Sequence, residues 1–472
     1  MPHSISQAQP PLEFIPPAFN PLVLRGAHLS LPLWLRFRTA ITHIQAENVE
    51  VLVDLYRQFQ AKQIRFLMAF RHPSVDDPLC MAHLLSHWVP QVAKHQGVSL
   101  RYPIHAHFIY DRGIPLWAGS QVGWLYSRLG GTPIHRGKVD RTGLRSARNL
   151  FVNGNFPMAA APEGATNGHN EIISPLEPGI AQLGFWCVED LLKADRSEQV
   201  FIVPIGIQYR YTEAPWQALN QLLSQLELES GLPVEQDSNS LSDSSNKFTN
   251  ARDTSHYKRL YRLGQYLLTL MEEFYTRFYH QTLLPNSPSP SVLPTSNAEF
   301  TARLHALLDA ALRVAEQYFD LQPKGSFIDR CRRLEQAGWD YIYREDLKDI
   351  ETRSPLERGL ANRLAEEAGL RMWHMRLVES FVAVTGNYVL EKPTVERFAE
   401  TTLLMWDMIC RIKGDSPFRR PQLGKQRVQM TIGQPISISA RWETYKANRR
   451  SAKQAVANLT QDLQVALEET IS

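Results

Sequence analysis

Short apolar runs alternate with helical patterns along residues 64–212. The run Ile64–Phe70 contains only one polar residue, which is typical of a buried strand. Further strands are predicted at residues 105–110, 132–135, 156–161 and 200–208, and helices at residues 78–88, 121–129, 142–152 and 179–194. Strands separated by helices of this length indicate an α/β domain with a largely parallel or mixed sheet.

The pattern becomes helical over residues 215–425, where apolar side chains recur at three- and four-residue spacing. Helices are predicted at residues 260–278, 299–321, 355–385 and 394–413. Period-two alternation returns at residues 427–432, before a Gly-Gln-Pro turn and a closing amphipathic helix at 451–471. We therefore predict a mixed central sheet flanked by helices, with a large all-helical insertion before the last strand.

These patterns divide the chain into four segments. They are a flexible, Pro-rich N-terminus at residues 1–18, an α/β core at 19–214, the helical insertion at 215–425, and a returning strand and helix at 426–472. Within the insertion, residues 237–255 are crowded with Ser, Asn and Asp, and residues 285–297 with Pro and Ser. Both compositions predict flexible, exposed loops.

Composition limits the class of protein. With 43% hydrophobic and 21% charged residues, the chain is too apolar for wholesale disorder. Its 51 Lys and Arg nearly balance 48 Asp and Glu, so no nucleic-acid partner is expected. The four cysteines lie far apart without a C-x-x-C pair, which argues against a disulfide scaffold or a local zinc site and indicates a reducing compartment.

Residues 16–46 contain three arginines and no acidic residue, interleaved with leucines, Trp34 and Phe37. Such a segment suits a membrane interface. The alternative is that it packs on the rest of the domain, with Pro32 breaking the helix. No apolar stretch reaches the length of about 18 residues that spans a bilayer, so we expect no transmembrane helix.

A histidine and two carboxylates follow the strand predicted at residues 64–70. His72 comes directly after that strand, and Asp76 and Asp77 precede the next helix. A carboxylate so placed can bond Nδ1, fix the tautomer and stabilise the imidazolium, while Nε2 removes a proton from an acceptor hydroxyl. The sequence has no G-x-S-x-G elbow, P-loop, G-x-G-x-x-G or H-E-x-x-H motif that would predict another chemistry.

Three further blocks follow His72-x4-Asp77 in order: GTPIHRG at residues 131–137, APEG at 161–164 and VPI at 203–205. Together the four blocks resemble those of the glycerolipid acyltransferase family, which includes the 1-acyl-sn-glycerol-3-phosphate (lysophosphatidate) acyltransferases. The resemblance covers residues 64–212 and 433–436, under half the chain. The overall layout looks most like the long cyanobacterial members of that family.

The resemblance implies an O-acyltransferase of phospholipid biosynthesis. It would move a fatty acyl group from acyl-CoA or acyl-carrier protein to the glycerol hydroxyl of a lysophospholipid acceptor, most simply converting 1-acyl-sn-glycerol-3-phosphate to phosphatidate. No metal or bound cofactor is implied, because the thioester donor is a substrate. A peripheral position on the cytoplasmic side of a membrane is expected, since the acceptor lies there.

The site residues follow from the same resemblance. They are His72 as general base, Asp77 as its orienting partner, Arg136 on the acceptor phosphate, and Pro162, Glu163 and Gly164 in the block that shapes the acceptor site. From the residues alone, the roles of Asp76 and Glu163 each have an alternative. Asp76 is the rival to Asp77 but could cap the following helix, and Glu163 could bond backbone amides within its own turn.

Two departures from the family pattern leave the chemical identity of the acceptor undecided. Arg71 stands where many members have Asn, and Thr166 stands where the third block usually has Arg. Lys138, Arg141 or Arg145 could supply the missing charge. The alternatives are the same chemistry on another hydroxyl acceptor, such as a different lysolipid or a glycolipid, or a catalytically silent lipid-binding or scaffold protein.

Overall fold

The structure is a computed structural model that describes residues 7–135, 140–234, 251–283, 297–381, 387–417 and 420–471. The chain forms two units. The α/β unit comprises Leu12–Thr212 and Lys425–Ser472, and the helical unit comprises Met1–Pro11 and Glu213–Gly424.

The elements are numbered in chain order. The strands are β1 (Ile41–Glu47), β2 (Ile64–Phe70), β3 (His107–Asp111), β4 (Thr132–Ile134), β5 (Met158–Ala160), β6 (Gln199–Tyr211), β7 (Gln426–Ile432) and β8 (Ile436–Ser437). The helices are α1 (Pro21–Arg38), α2 (Val49–Gln60), α3 (Asp77–His83), α4 (Val89–His95), α5 (Ile114–Ala118), α6 (Ser120–Arg128), α7 (Arg141–Asn153), α8 (Gly179–Lys193), α9 (Trp216–Glu229), α10 (Ala251–Tyr279), α11 (Asn297–Tyr318), α12 (Phe327–Ile342), α13 (Pro355–Phe381), α14 (Tyr388–Glu391), α15 (Val395–Lys413), α16 (Trp442–Lys446) and α17 (Arg449–Glu469).

The sheet of the α/β unit is mixed. Its strand order is β1-β7-β6-β2-β5-β3-β4, with β8 also paired to β6. The pairs of β6 with β7 and with β8 are antiparallel, and the remaining pairs are parallel. The predicted mixed sheet flanked by helices is therefore confirmed.

Strand β2 lies inside the sheet, and both of its faces are buried. Phe66, Met68 and Phe70 pack into a cluster with α2, α3 and α4, whereas Leu67 and Ala69 pack with α7, α8 and α17 on the other face. This two-sided burial explains the continuous apolar run, which is typical of parallel strands covered by helices.

The N-terminal part of the α/β unit differs from the sequence prediction. Strand β1 was not predicted; it pairs in parallel with β7, so the segment proposed as interfacial, residues 16–46, included part of a strand. Helix α1 continues through Pro32, and the prediction that this proline breaks it was wrong. Burial of Leu31 and Leu35 on either side of Pro32 stabilises a helix in which the proline removes one backbone donor.

Parts of the three segments that were predicted to be flexible are ordered. In residues 1–18, Gln9 forms a parallel bridge with Tyr343, and Ala8 is buried in the helical unit. Helix α10 begins at Ala251, inside the predicted loop 237–255, and α11 begins at Asn297. The rest of those loops, residues 237–250 and 285–296, lies outside the described residues.

The helical unit contains α9 to α15. Several buried arginines pair with glutamates on neighbouring helices, such as Arg330 with Glu316 at 2.7 Å and Arg303 with Glu272 at 2.6 Å. Among the helices that the structure describes, none combines the length and apolarity needed to cross a bilayer.

Candidate active site

His72 lies at the carboxyl edge of the sheet. Strand β2 ends at Phe70, and the Arg71 amide donates to the Ile205 carbonyl at 2.9 Å, which carries the pairing with β6 one residue further. Because β2 and β5 are parallel neighbours, the segments that follow them emerge at the same edge. The topology thereby brings residues 71–77 together with residues 161–174.

The imidazole of His72 is paired with Asp77. Nδ1 lies 2.9 Å from Asp77 Oδ2, which also accepts the Ser74 amide at 2.8 Å. The Asp77 side chain is fully buried, whereas the His72 side chain is 21% exposed. Since a carboxylate only accepts, Nδ1 donates in this contact, and in the neutral imidazole Nε2 then presents a lone pair. No described residue is hydrogen-bonded to Nε2, so a substrate hydroxyl could bind there.

Tyr209, a residue of β6 that the sequence analysis missed, completes the surroundings of Asp77. Its hydroxyl donates to Asp77 Oδ1 at 2.5 Å. Burial and the negative charge of Asp77 raise the pKa of Tyr209 well above its ordinary value, so the hydroxyl stays protonated and keeps donating. The strand predicted at residues 200–208 ends one residue before Tyr209, and no spacing rule connects this tyrosine with Asp77.

Asp76 does not contact the imidazole. It occupies the N-cap position of α3, but its side chain makes no capping hydrogen bond, so the suggested role as a side-chain cap was wrong. Its backbone angles are helical, whereas a capping residue typically has an extended backbone. Burial, followed by the adjacent charge of Asp77, raises the pKa of Asp76 to about 6.

This raised pKa predicts that the ionised Asp76 side chain lowers the free energy of unfolding in a pH-dependent way. The folded protein holds the Asp76 proton more tightly than the unfolded chain, so the free energy of unfolding falls as pH rises from about 4 to about 6. We expect Asp76→Asn to raise that free energy by about 1–2 kcal/mol at pH 7.5, allowing for solvent screening, and by much less at pH 4.5. Urea unfolding at the two pH values checks this, and an equal gain at both would contradict it.

Glu163 ties the third block to the backbone of His72. One carboxylate oxygen accepts the His72 amide at 2.9 Å, and the other accepts Asn167 Nδ2 at 2.8 Å and the Ser174 amide at 2.9 Å. The side chain is fully buried. Glu163 therefore bonds backbone amides, but they are the amides of His72 and Ser174 and not those of its own turn.

Arg71 is a second buried anchor, which the sequence analysis treated only as a departure from the family pattern. Its guanidinium donates to the carbonyls of Asn170, His169 and Ile172 and lies 3.7 Å from Glu163 Oε1. Three carbonyls and a carboxylate around one buried cation hold residues 169–172 against the end of β2. A charged residue directly after a buried strand was the available signal.

Pro162 and Gly164 form the turn that carries Glu163. The Pro162 carbonyl accepts the Glu177 amide at 2.8 Å, and the Gly164 amide donates to the Ala161 carbonyl at 3.2 Å. Gly164 has φ of +73°, a left-handed conformation that glycine adopts without strain. A side chain at this position would disturb the turn and move the Glu163 carboxylate.

The predicted phosphate-binding residue, Arg136, lies outside the described residues, as does Lys138. Of the other cations considered, Arg141 and Arg145 are exposed on α7. In the described part of the chain no group of three or more His, Cys, Asp or Glu side chains is placed to hold a metal ion. The site that the structure assembles thus consists of His72, Asp77 and the residues that hold them.

Comparisons with protein-family models, with curated proteins and with solved structures gave no match to this chain.

Proposed function

We propose that the α/β unit is an O-acyltransferase that transfers a fatty acyl group from acyl-CoA or acyl-carrier protein to the hydroxyl of a glycerolipid acceptor, most simply 1-acyl-sn-glycerol-3-phosphate. The observation that carries this proposal is the pairing of His72 Nδ1 with the buried Asp77 carboxylate at 2.9 Å. The imidazole of His72 is itself partly exposed, so a substrate could reach it. The resemblance of the four sequence blocks adds the reaction class.

The proposed mechanism needs one base and no enzyme nucleophile. The acceptor hydroxyl donates its proton to His72 Nε2 while its oxygen attacks the thioester carbonyl carbon. The Asp77 carboxylate stabilises the resulting imidazolium through Nδ1. The tetrahedral intermediate then collapses, the carbon–sulfur bond breaks, and the thiolate leaves with the proton that His72 took.

Arg136 is proposed to bind the acceptor phosphate, because a guanidinium can pair two donors with phosphate oxygens. A different acceptor is the second candidate, and a specific observation favours it. Thr166 occupies the place of the block's usual arginine and is exposed, and the neighbouring Asn167 is committed to Glu163. This block therefore provides no cation to pair with a phosphate, and an acceptor without a phosphate would not need one.

The test is an acyl-transfer assay with purified full-length protein. Radiolabelled acyl-CoA and acyl-carrier protein are each offered with a panel of lysophosphatidate, other lysophospholipids and a glycolipid, and products are identified by mass. Phosphatidate as the main product supports the first acceptor, and another acylated product supports the second. No transfer from either donor to any acceptor would sink the enzymatic proposal and leave a lipid-binding or scaffold role.

A membrane-facing surface on α1 is part of the same proposal. Leu24, Leu31 and Leu35 are buried on one face of this acid-free helix. The opposite face exposes four large apolar side chains at 61–76%: Leu22, Leu29, Leu33 and Phe37. Helix α1 packs against α3, which begins at Asp77. An apolar face with flanking arginines suits an anionic bilayer, and its position would bring His72 near a lipid acceptor.

We expect the double variant Leu29→Glu/Phe37→Glu to lose most binding to vesicles that contain phosphatidylserine. The change removes two apolar side chains whose burial in the bilayer would contribute about 1.5–3 kcal/mol each, and it adds two negative charges that anionic lipids repel. Flotation of full-length protein measures it. The matched control is Leu192→Glu/Val465→Glu, at exposed positions on α8 and α17. Equal flotation of both variants would contradict the assignment of α1 as the docking helix.

A further inference from the structure

The charges of the protein are distributed unevenly along the chain. Residues 112–162 contain seven Arg and Lys residues but a single acidic residue, Asp140, although the net charge of the whole chain is only +3. This segment runs from the end of β3 to the turn that carries Glu163, and it includes α7. The excess positive charge of the protein therefore lies in this part of the α/β unit.

Asp140, the single acidic residue of this segment, is paired inside the unit. Its buried carboxylate is bonded to the Arg112 guanidinium, and it accepts the His135 amide at 2.9 Å and the Gly143 amide at 3.0 Å. These bonds hold the start of α7 beside the end of β4. The negative charge of Asp140 is thus committed to Arg112 and to backbone amides, and not to the arginines at the surface of α7.

Helix α7 presents two exposed arginines on consecutive turns. Arg141 and Arg145 are both exposed, and neither forms an ion pair with any residue that the structure describes. Arg148, about one turn further along, pairs with Glu189 and Asp190 of α8. The unpaired positive charge of α7 therefore lies in its first half.

This charged face is not part of the surface proposed to contact a bilayer. Helix α1 packs on one side of the sheet, where Leu31 and Leu35 join the cluster that contains Phe66. Helix α7 packs on the other side, where Ala147 and Phe151 join the cluster that contains Leu67. The other exposed positions on α7 are also polar: Thr142, Asn149 and Asn153. An anionic partner of α7 is therefore distinct from a bilayer docked on α1.

The first half of α7 lies near the edge of the sheet that carries the candidate active site. Strands β2, β5, β3 and β4 are parallel neighbours in that order, so β2 and β4 end at the same edge. Three strand spacings separate them, which is about 14 Å. An acyl thioester on a long phosphopantetheine arm can therefore reach His72 while the group that carries the arm lies on α7.

The shape of this surface fits a protein better than a nucleotide. Sites for small molecules are concave, whereas both arginines lie on the exposed, convex face of a helix. Acyl-carrier proteins are small and acidic, and complementary charge steers such partners to a basic surface. We propose that the exposed face of α7, with Arg141 and Arg145, docks the acyl-carrier protein that presents the thioester to His72. This inference rests on the proposed acyl transfer and names the carrier protein as the donor.

Isothermal titration calorimetry of the full-length protein with holo-acyl-carrier protein, which has no acyl group, tests the docking. We expect saturable binding that weakens as the salt concentration rises. Arg141→Glu/Arg145→Glu should weaken it by about tenfold or more, because two attracted charges become two repelled ones. The matched control Arg449→Glu/Arg450→Glu makes the same charge change at exposed positions at the start of α17 and should bind as the wild type does.

Absence of binding to the wild type, or equal weakening by the two double variants, would overturn the proposal. Weaker binding of acyl-CoA or of phosphatidylserine vesicles to the α7 variant, with carrier-protein binding unchanged, would also overturn it, because the surface would then serve another anion. The neutral variant Arg141→Gln/Arg145→Gln, with a wild-type melting curve, should bind with intermediate affinity. A folded neutral variant with wild-type affinity would contradict the proposal.

The titration needs no acyl transfer, so the two proposals fail separately. Carrier-protein binding that depends on Arg141 and Arg145, together with a failed transfer assay, would support the docking surface and contradict the enzymatic proposal. Transfer from acyl-CoA without any binding of holo-acyl-carrier protein would support the enzymatic proposal and overturn the docking surface.

Discussion

His72→Ala is expected to lower turnover by about 10²–10⁴-fold, because it removes the group that is proposed to take the acceptor proton in the transition state. The geometry supports an effect on the reaction more than on folding. The imidazole is partly exposed, whereas the anchors Glu163 and Arg71 bond other groups: Glu163 holds the backbone amide at position 72, which alanine retains. The loss should therefore be found in kcat while the melting temperature changes little.

The measurement compares initial rates of acyl transfer with thermal melting curves. His95→Ala is the matched control, because His95 is exposed at the end of α4 and should retain full activity. A folded His72→Ala protein with near-normal rates would rule out the base assigned here. A loss of rate accompanied by an equal loss in the control would indicate a general effect of the substitution.

Asp77→Asn is expected to lower turnover by about 10²-fold or more, whereas Asp76→Asn should lower turnover only slightly. The amide introduced by Asp77→Asn cannot supply the negative charge that stabilises the imidazolium, and one of its two orientations places an N–H group against His72 Nδ1. Asp76 has no bond to the imidazole, and asparagine removes its charge without changing its size. The contrast between neighbouring, isosteric substitutions separates the orienting role from nonspecific effects of a lost charge.

Tyr209→Phe distinguishes positioning of Asp77 from structural damage. This change removes only the hydroxyl bonded to Asp77 Oδ1, so it should lower kcat to a smaller extent than Asp77→Asn, with the melting curve of each variant as the check on folding. If Asp76→Asn proved worse than Asp77→Asn, the orienting partner would be misassigned.

Elements with strong local patterns were predicted closely. Strand β2 spans the predicted residues, β7 differs at one end only, and α7, α8 and α17 begin or end within two residues of their predicted limits. Strand β7 and the three helices each bury a face whose period is visible in the sequence, and β2, which is buried on both faces, is visible as a continuous apolar run. The proximity in the chain of His72 to Asp76 and Asp77 likewise made a pairing with one of them predictable, since six residues link the end of β2 to the start of α3.

Other features had no such local signal. Strand β1 buries few of its side chains and pairs with β7, which lies almost four hundred residues later in the chain, so its alternation is weak and its partner cannot be read from spacing. Helix α1 survives its internal proline because the contacts of its buried leucines are tertiary. Local propensity favoured a break at that position.

The sequence by itself determined the alternating α/β pattern, the helical character of residues 215–425 and a candidate base beside two carboxylates. Only the tertiary structure decided which carboxylate pairs with His72, because the first turn of α3 places the Asp77 carboxylate 2.9 Å from Nδ1. It alone also brought Tyr209 and Arg71 into the site. Those contacts join residues far apart in the chain, and they form because buried polar groups must find partners where the sheet places them.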